Sequence, residues 1–126
     1  MAARILVVDD DDSLRDLLRM HLSGAGYEVV TAADAISAGY MVLRDPPDLI
    51  LVDVIMPHMN GFEFVAALKA DKSLPEIPVL FLTSDEDVIH RGKELGAAGY
   101  LMKPVRADEL LDLIARNVPG GAIPIG

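Results

Sequence analysis

Five polar residues stand at the ends of short apolar runs. Asp9 and Asp10 follow Ile5-Leu6-Val7-Val8, Asp53 follows Leu49-Ile50-Leu51-Val52, Thr83 follows Val79-Leu80-Phe81-Leu82, and Lys103 follows Tyr100-Leu101-Met102 and precedes Pro104. The runs are continuous rather than alternating, the pattern of strands covered on both faces, as in a parallel sheet. In such a sheet the C-terminal strand ends open on one edge, where α/β proteins hold ligands. Three carboxylates, a hydroxyl and an ammonium gathered there suit a divalent cation and a phosphoryl group. Two like charges about 4 Å apart repel by about 4 kcal/mol at an effective dielectric of about 20. A divalent cation relieves that repulsion. Mg²⁺ suits the donors because it takes oxygens octahedrally, keeps several waters and bridges to phosphate; Mn²⁺ is the substitute.

Asp53 sits at the mouth of the loop Val54-Ile55-Met56-Pro57-His58-Met59-Asn60-Gly61. A carboxylate there can attack phosphorus and form an acyl phosphate, which makes Asp53 the candidate nucleophile. Lys103 supplies the fixed positive charge that an incoming dianion needs. Thr83 offers a hydroxyl to a phosphoryl oxygen, or else caps the helix that follows it. Asp11 and Asp12 extend the acidic run Asp9–Asp12 into a helix start and are read as capping residues.

The elements that must position these residues alternate along the chain. Helical spacing of apolar residues covers 12–24, with Asp11 or Asp12 as N-cap and Gly24 as a stop; 34–44, with Asp34 as cap; 62–70; a weakly amphipathic 85–95 containing Gly92; and 107–118. Tyr27–Thr31 and Tyr100–Met102 read as edge strands. The order βαβαβαβαβα with short connections predicts an α/β fold with helices on both faces of the sheet. Residues 1–118 form the expected domain, and the stretch 119–126 reads as a flexible tail or linker stub.

Composition narrows the functional classes. With 126 residues, 52% apolar and 25% charged, the chain suits one folded domain. Its net charge of −9 argues against nucleic-acid binding through the surface. There is no cysteine, hence no thiolate metal site. The start of the chain reads as neither a signal peptide nor a membrane span, so a cytoplasmic location is expected and no membrane partner.

The motifs Val7-Val8-Asp9-Asp10, Asp53 with Met56-Pro57-His58-Met59-Asn60-Gly61, Leu82-Thr83-Ser84 and Tyr100-Leu101-Met102-Lys103-Pro104 resemble those of the receiver domains of two-component response regulators. The resemblance spans residue 4 to about 118 and implies a doubly wound, flavodoxin-like α/β fold. Its five parallel strands would run in the order 2-1-3-4-5, flanked by five helices, with the site where the strand order reverses. It also implies that Asp53 is phosphorylated by a sensor histidine kinase or a histidine phosphotransfer protein. Asp10, Asp53 and the backbone carbonyl of Ile55 would ligate Mg²⁺ directly, and Asp9 would act through water or with the lysine. Thr83 and Tyr100 would be the switch pair, the Lys103–Pro104 bond would be cis, and the output surface would be the fourth helix, fifth strand and fifth helix. That face could bind an unnamed downstream protein or form a homodimer. The domain would be a signalling switch that catalyses only its own phosphorylation and dephosphorylation. The alternatives are a receiver-like interaction module that works without phosphorylation, or one module of a larger hybrid kinase or regulator.

Several positions depart from the family pattern. Asn60 stands where Asp is commoner, and Gly99 and Val105 replace the commoner Asp and Phe. The span from Thr83 to Tyr100 is short, so the fourth helix or the loop before it should be shortened or displaced. Bulky Ile55, two positions past Asp53, should shield an acyl phosphate from water. A calcium loop starting at Asp9 fails, since Leu14 stands where glycine is required and Met20 where glutamate is. A haloacid-type phosphatase needs an acid at Ile55, and there is no glycine-rich P-loop. His21, His58 and His90 lack ligand spacing and read as surface groups.

Overall fold

The computed structural model describes residues 2–56 and 58–118. The expected tail, 119–126, lies outside the described residues, as does Pro57. The elements run β1 (Arg4–Val8), α1 (Asp12–Gly24), β2 (Glu28–Ala32), α2 (Ala35–Arg44), β3 (Leu49–Asp53), α3 (Gly61–Ala70), β4 (Val79–Thr83), a short 3-10 turn (Glu86–Val88), α4 (Ile89–Glu94), β5 (Gly99–Met102) and α5 (Ala107–Ala115). All four strand pairings are parallel, in the order β2-β1-β3-β4-β5. The fold class, the strand order and the edge positions of β2 and β5 are those expected from the sequence.

Alternation within each strand explains the continuous apolar runs. Leu6, Val8, Ile50, Val52, Val79 and Phe81 face α2, α3 and α4, packing on Ala38, Val42, Phe62 and Val65. Ile5, Val7, Leu49, Leu51, Leu80 and Leu82 face α1 and α5, packing on Leu18, Leu22, Leu110 and Ile114. With both sides covered, neither set can be polar. Each fully buried Leu, Ile or Val side chain contributes about 1.5–3 kcal/mol.

Helix starts follow the sequence closely. Asp11 caps α1, its side chain accepting from the Leu14 N–H, and Asp34 caps α2 through the Ser37 N–H. Asn60 caps α3 in a reciprocal box with Glu63, so the Asp-to-Asn departure keeps the capping function.

The region 85–95 differs from the single helix expected. Asp85 caps a separate 3-10 turn through the Asp87 N–H, and α4 holds only six residues. The cause is local: Gly92 weakens the helix by about 1 kcal/mol relative to alanine, and few large apolar groups bind the segment to the core. Gly92 is there because of its neighbour. A Cβ on it would stand 3.0 Å from the Phe81 ring, so its absence lets α4 lie directly on β4. The expected shortening of the fourth helix is what the fold displays. The last helix also ends early, at Ala115 rather than Val118.

Candidate functional site

Register assembles the site. Val8 pairs with Val52 and Asp53 with Leu82, while Thr83 pairs with Met102. The residues that end β1, β3, β4 and β5 therefore emerge side by side on one edge. Each is then fixed by the loop that follows it.

Asp9 is fully buried. Its N–H donates to the Ala32 carbonyl at 3.1 Å, and its Oδ1 accepts from the Asp11 N–H at 2.9 Å. Its carbonyl accepts from Arg15 Nη1 at 2.7 Å. Asp53, 6% exposed, accepts from the Ile55 N–H on Oδ1 at 3.2 Å and from Lys103 Nζ on Oδ2 at 3.0 Å. Lys103 Nζ also lies 3.3 Å from Asp9 Oδ2. That second contact is an ion pair without hydrogen-bond alignment, so Asp9 Oδ2 is buried and lacks a hydrogen bond. Lys103 is itself tethered, its N–H donating to the Thr83 carbonyl at 2.8 Å. The Lys103–Pro104 bond is cis.

These contacts set the charge states. Burial pushes the Asp53 carboxyl above its ordinary range, and the nearby Asp9 charge acts in the same direction. The Lys103 hydrogen bond and charge and the Ile55 N–H oppose that rise without cancelling it. Burial alone would lower Lys103. The hydrogen bond to Asp53 and the two negative charges outweigh burial and hold the ammonium above its usual value, hence charged at neutral pH.

One carboxylate oxygen each from Asp9, Asp10 and Asp53 lie within 4.8 Å of one another, with Asp10 exposed to solvent. Hard oxygen donors, an open side for waters and the unbonded Asp9 Oδ2 fit a small divalent cation such as Mg²⁺. Ile55 reaches this cluster through its backbone, while its side chain is 70% exposed.

Thr83 ends β4 on the same edge, yet its hydroxyl is engaged locally. Oγ1 accepts from the Asp85 N–H at 3.0 Å and donates to the Asp85 carbonyl at 3.2 Å. Thr83 caps no helix here: its hydroxyl turns back on the Asp85 backbone, and the cap of the 3-10 turn is Asp85 itself. Tyr100 is 41% exposed. Between Tyr100 and Thr83 lies a cavity of about 120 Å³, walled by Val54, Phe81, Val88 and Gly92 among others. The structure thus brings Asp9, Asp10, Asp53 and Lys103 together, and leaves Thr83 and Tyr100 on either side of an apolar gap. Sequence reasoning passed over Arg15. Its spacing, three residues after Asp12 and six after Asp9, is the signal that could have placed it on the face of α1 below the acidic run.

Gly61 closes the loop after Asp53. Its N–H donates to the Val54 carbonyl at 2.8 Å, and a Cβ on it would stand 2.4 Å from the Asp53 carbonyl oxygen. His58, in the same loop, takes φ of 71°.

The sequence matches the response regulator receiver domain family over residues 5–115. It is 42% identical over 113 residues to the response regulator MprA of Mycobacterium tuberculosis, covering 88% of this chain and 48% of that protein. It is 37% identical over 110 residues to the DNA-binding dual master transcriptional regulator RpaA of Synechocystis, covering 86% and 46%. The chain thus spans about half the length of these relatives. Among solved structures, chemotaxis protein CheY4 of Vibrio cholerae superposes with a TM-score of 0.87 at 38% identity, covering 94% of this chain and all of that one. The receiver domain of a signal transduction histidine kinase from Syntrophus aciditrophicus gives 0.85 at 30% identity, covering 99% and 98%.

The contact at Gly61 makes a direct prediction. Gly61→Ala must push α3 away from the Asp53 backbone, costing about 1–3 kcal/mol in denaturant unfolding, the range for overpacking. A variant as stable as the parent would contradict the close approach.

Proposed function

This chain belongs to the response regulator receiver domain family, and from that premise we propose that it is a phosphoacceptor switch in a two-component phosphorelay. An Asp53 carboxylate oxygen attacks the phosphorus of a phosphohistidine on a histidine kinase or phosphotransfer protein. A P–O bond forms, the P–N bond breaks, and the electron pair leaves with the imidazole nitrogen. The observation that carries this reading is Lys103 Nζ lying 3.0 Å from Asp53 Oδ2 and 3.3 Å from Asp9 Oδ2. The ammonium is already where phosphoryl oxygens would gather once Asp53 carries its acyl phosphate.

Asp10, Asp53 and the Ile55 carbonyl, with Asp9 behind them, would hold Mg²⁺. When bound, the cation neutralises charge on the carboxylates and the phosphoryl oxygens. Asp53 supplies the nucleophile and Lys103 the fixed counter-charge. Thr83 turns its hydroxyl from Asp85 toward a phosphoryl oxygen, and Tyr100 moves toward the apolar cavity that Thr83 borders. Such a rearrangement needs only a few kcal/mol of differential stabilisation, within reach of one or two charge-assisted hydrogen bonds.

The output is a changed surface on α4, β5 and α5, read by a protein target or a second copy of the domain. A DNA-directed output, such as that of the DNA-binding regulator RpaA, would need a further domain, since a net charge of −9 opposes contact with nucleic acid. A cytoplasmic location belongs to the same reading; among the described residues no helix is long and apolar enough to cross a membrane.

Incubation with acetyl phosphate and Mg²⁺ should add one hydroxylamine-labile phosphoryl group to the intact mass. Asp53→Asn, or chelation of the cation, should prevent the gain. No gain in the parent would overturn the reading in favour of an interaction module that works without phosphorylation. The exposed Ile55 side chain at the mouth of the site leads to a second expectation. After removal of the donor, Ile55→Asn should lose its phosphoryl group several-fold faster than the parent. Equal or slower loss would show that Ile55 shields nothing.

A further inference from the structure

Beside the acidic loop stands a cation that the chemistry above does not use. Arg15, on the first turns of α1, is mostly buried, with its side chain 17% exposed. Nη1 donates to the Asp9 carbonyl at 2.7 Å, and Nη2 pairs with the Asp12 carboxylate. The Arg15 backbone N–H is held by the Asp11 carbonyl at 3.0 Å. Helix and loop are therefore tied together by one side chain.

A guanidinium on the carbonyl of one residue of a candidate cation site acts in two opposed ways. Its charge repels the cation and should weaken binding. Its hydrogen bond fixes the Asp9 carbonyl, and the planar peptide carrying that carbonyl also carries the nitrogen and Cα of Asp10. Asp9 is already held by the Ala32 carbonyl and the Asp11 N–H, whereas Asp10 is exposed. The orientation of Asp10 thus depends on the peptide that Arg15 clamps. The planar fork matters, since one arm reaches a carbonyl while the other reaches Asp12; a lysine offers a single nitrogen.

We propose that Arg15 is a positioning residue for the divalent-cation site, holding the Asp9–Asp10 peptide so that the Asp10 carboxylate stays with those of Asp9 and Asp53. The proposal rests on the cation-dependent reading given above. Partners that orient metal ligands typically carry about 10–100-fold in affinity, and here that gain exceeds the loss from charge repulsion.

The test is calorimetric titration of the unphosphorylated protein with MgCl₂, with denaturant midpoints to confirm folding. Arg15→Met should bind Mg²⁺ at least about 10-fold more weakly than the parent. Arg15→Lys keeps the charge and loses the fork, and it should also weaken binding. Asp12→Asn removes the ion pair of the outer arm but leaves the arm on the Asp9 carbonyl, and it should weaken binding less than Arg15→Met does. At saturating Mg²⁺ the phosphorylation rate of Arg15→Lys should return to the parent value, because only cation affinity has changed. Tighter or unchanged binding in Arg15→Met overturns the proposal, since charge repulsion would then be the whole effect. If Arg15→Met fails to fold, unchanged binding in Arg15→Lys overturns it equally. A parent that binds no Mg²⁺ refutes the cation site itself, and the proposal with it.

Discussion

Two carboxylates, Asp9 fully buried and Asp53 nearly so, share one ammonium, that of Lys103. Buried like charges are unfavourable unless something opposite sits between them. The ammonium can do so only if β1, β3 and β5 end at the same level, which parallel register through β4 achieves. The register in turn is fixed by the double-sided apolar core, because a one-residue slip would exchange the residues facing α1 and α5 with those facing α2 and α3. The charge cluster and the core therefore specify the same alignment.

The balance at the site is incomplete. One ammonium faces three acids, and Asp9 Oδ2 keeps no aligned hydrogen bond. On the proposed reading a cation and a phosphoryl group complete the set, and the elements nearest to it respond. The β4–α4 connection suits that role. The Thr83 hydroxyl is held by local bonds to the Asp85 backbone, and α4 is a six-residue helix. Its attachments are specific ones, Gly92 against Phe81 and the Arg91 guanidinium 5.1 Å over the Phe62 ring. Beside them the cavity below Tyr100 gives room for side-chain movement. Few packed contacts and a nearby void are what a segment of low local stability requires.

Much of this was legible in the sequence because each strand carried its own signal. Unbroken apolar runs gave β1, β3 and β4, and the polar residue after each run marked the edge where the site lies. Capping chemistry marked the start of α1 at Asp11 or Asp12, of which Asp11 is the cap, and the start of α2 at Asp34. The region 85–95 was less legible, because Asp85 can cap a 3-10 turn as well as a helix, and only its contact with Phe81 explains Gly92. Arg15 was hidden for a related reason. Among so many acids it reads as a surface charge, and its bond to a backbone carbonyl leaves no trace in residue type. The current engagement of Thr83 with Asp85 is likewise a matter of state rather than sequence, since the same hydroxyl fits either partner.

Competition between the Lys103 ammonium and a divalent cation for the carboxylates of Asp9 and Asp53 is central to the proposed reading. It is tested most directly by comparing Mg²⁺ affinity in the parent and in Lys103→Met by calorimetry. The account predicts one Mg²⁺ per chain in both proteins, with tighter binding in the variant, because the competing ammonium at Asp53 Oδ2 and Asp9 Oδ2 is gone. Equal affinity in the two, or no binding by either, would contradict it.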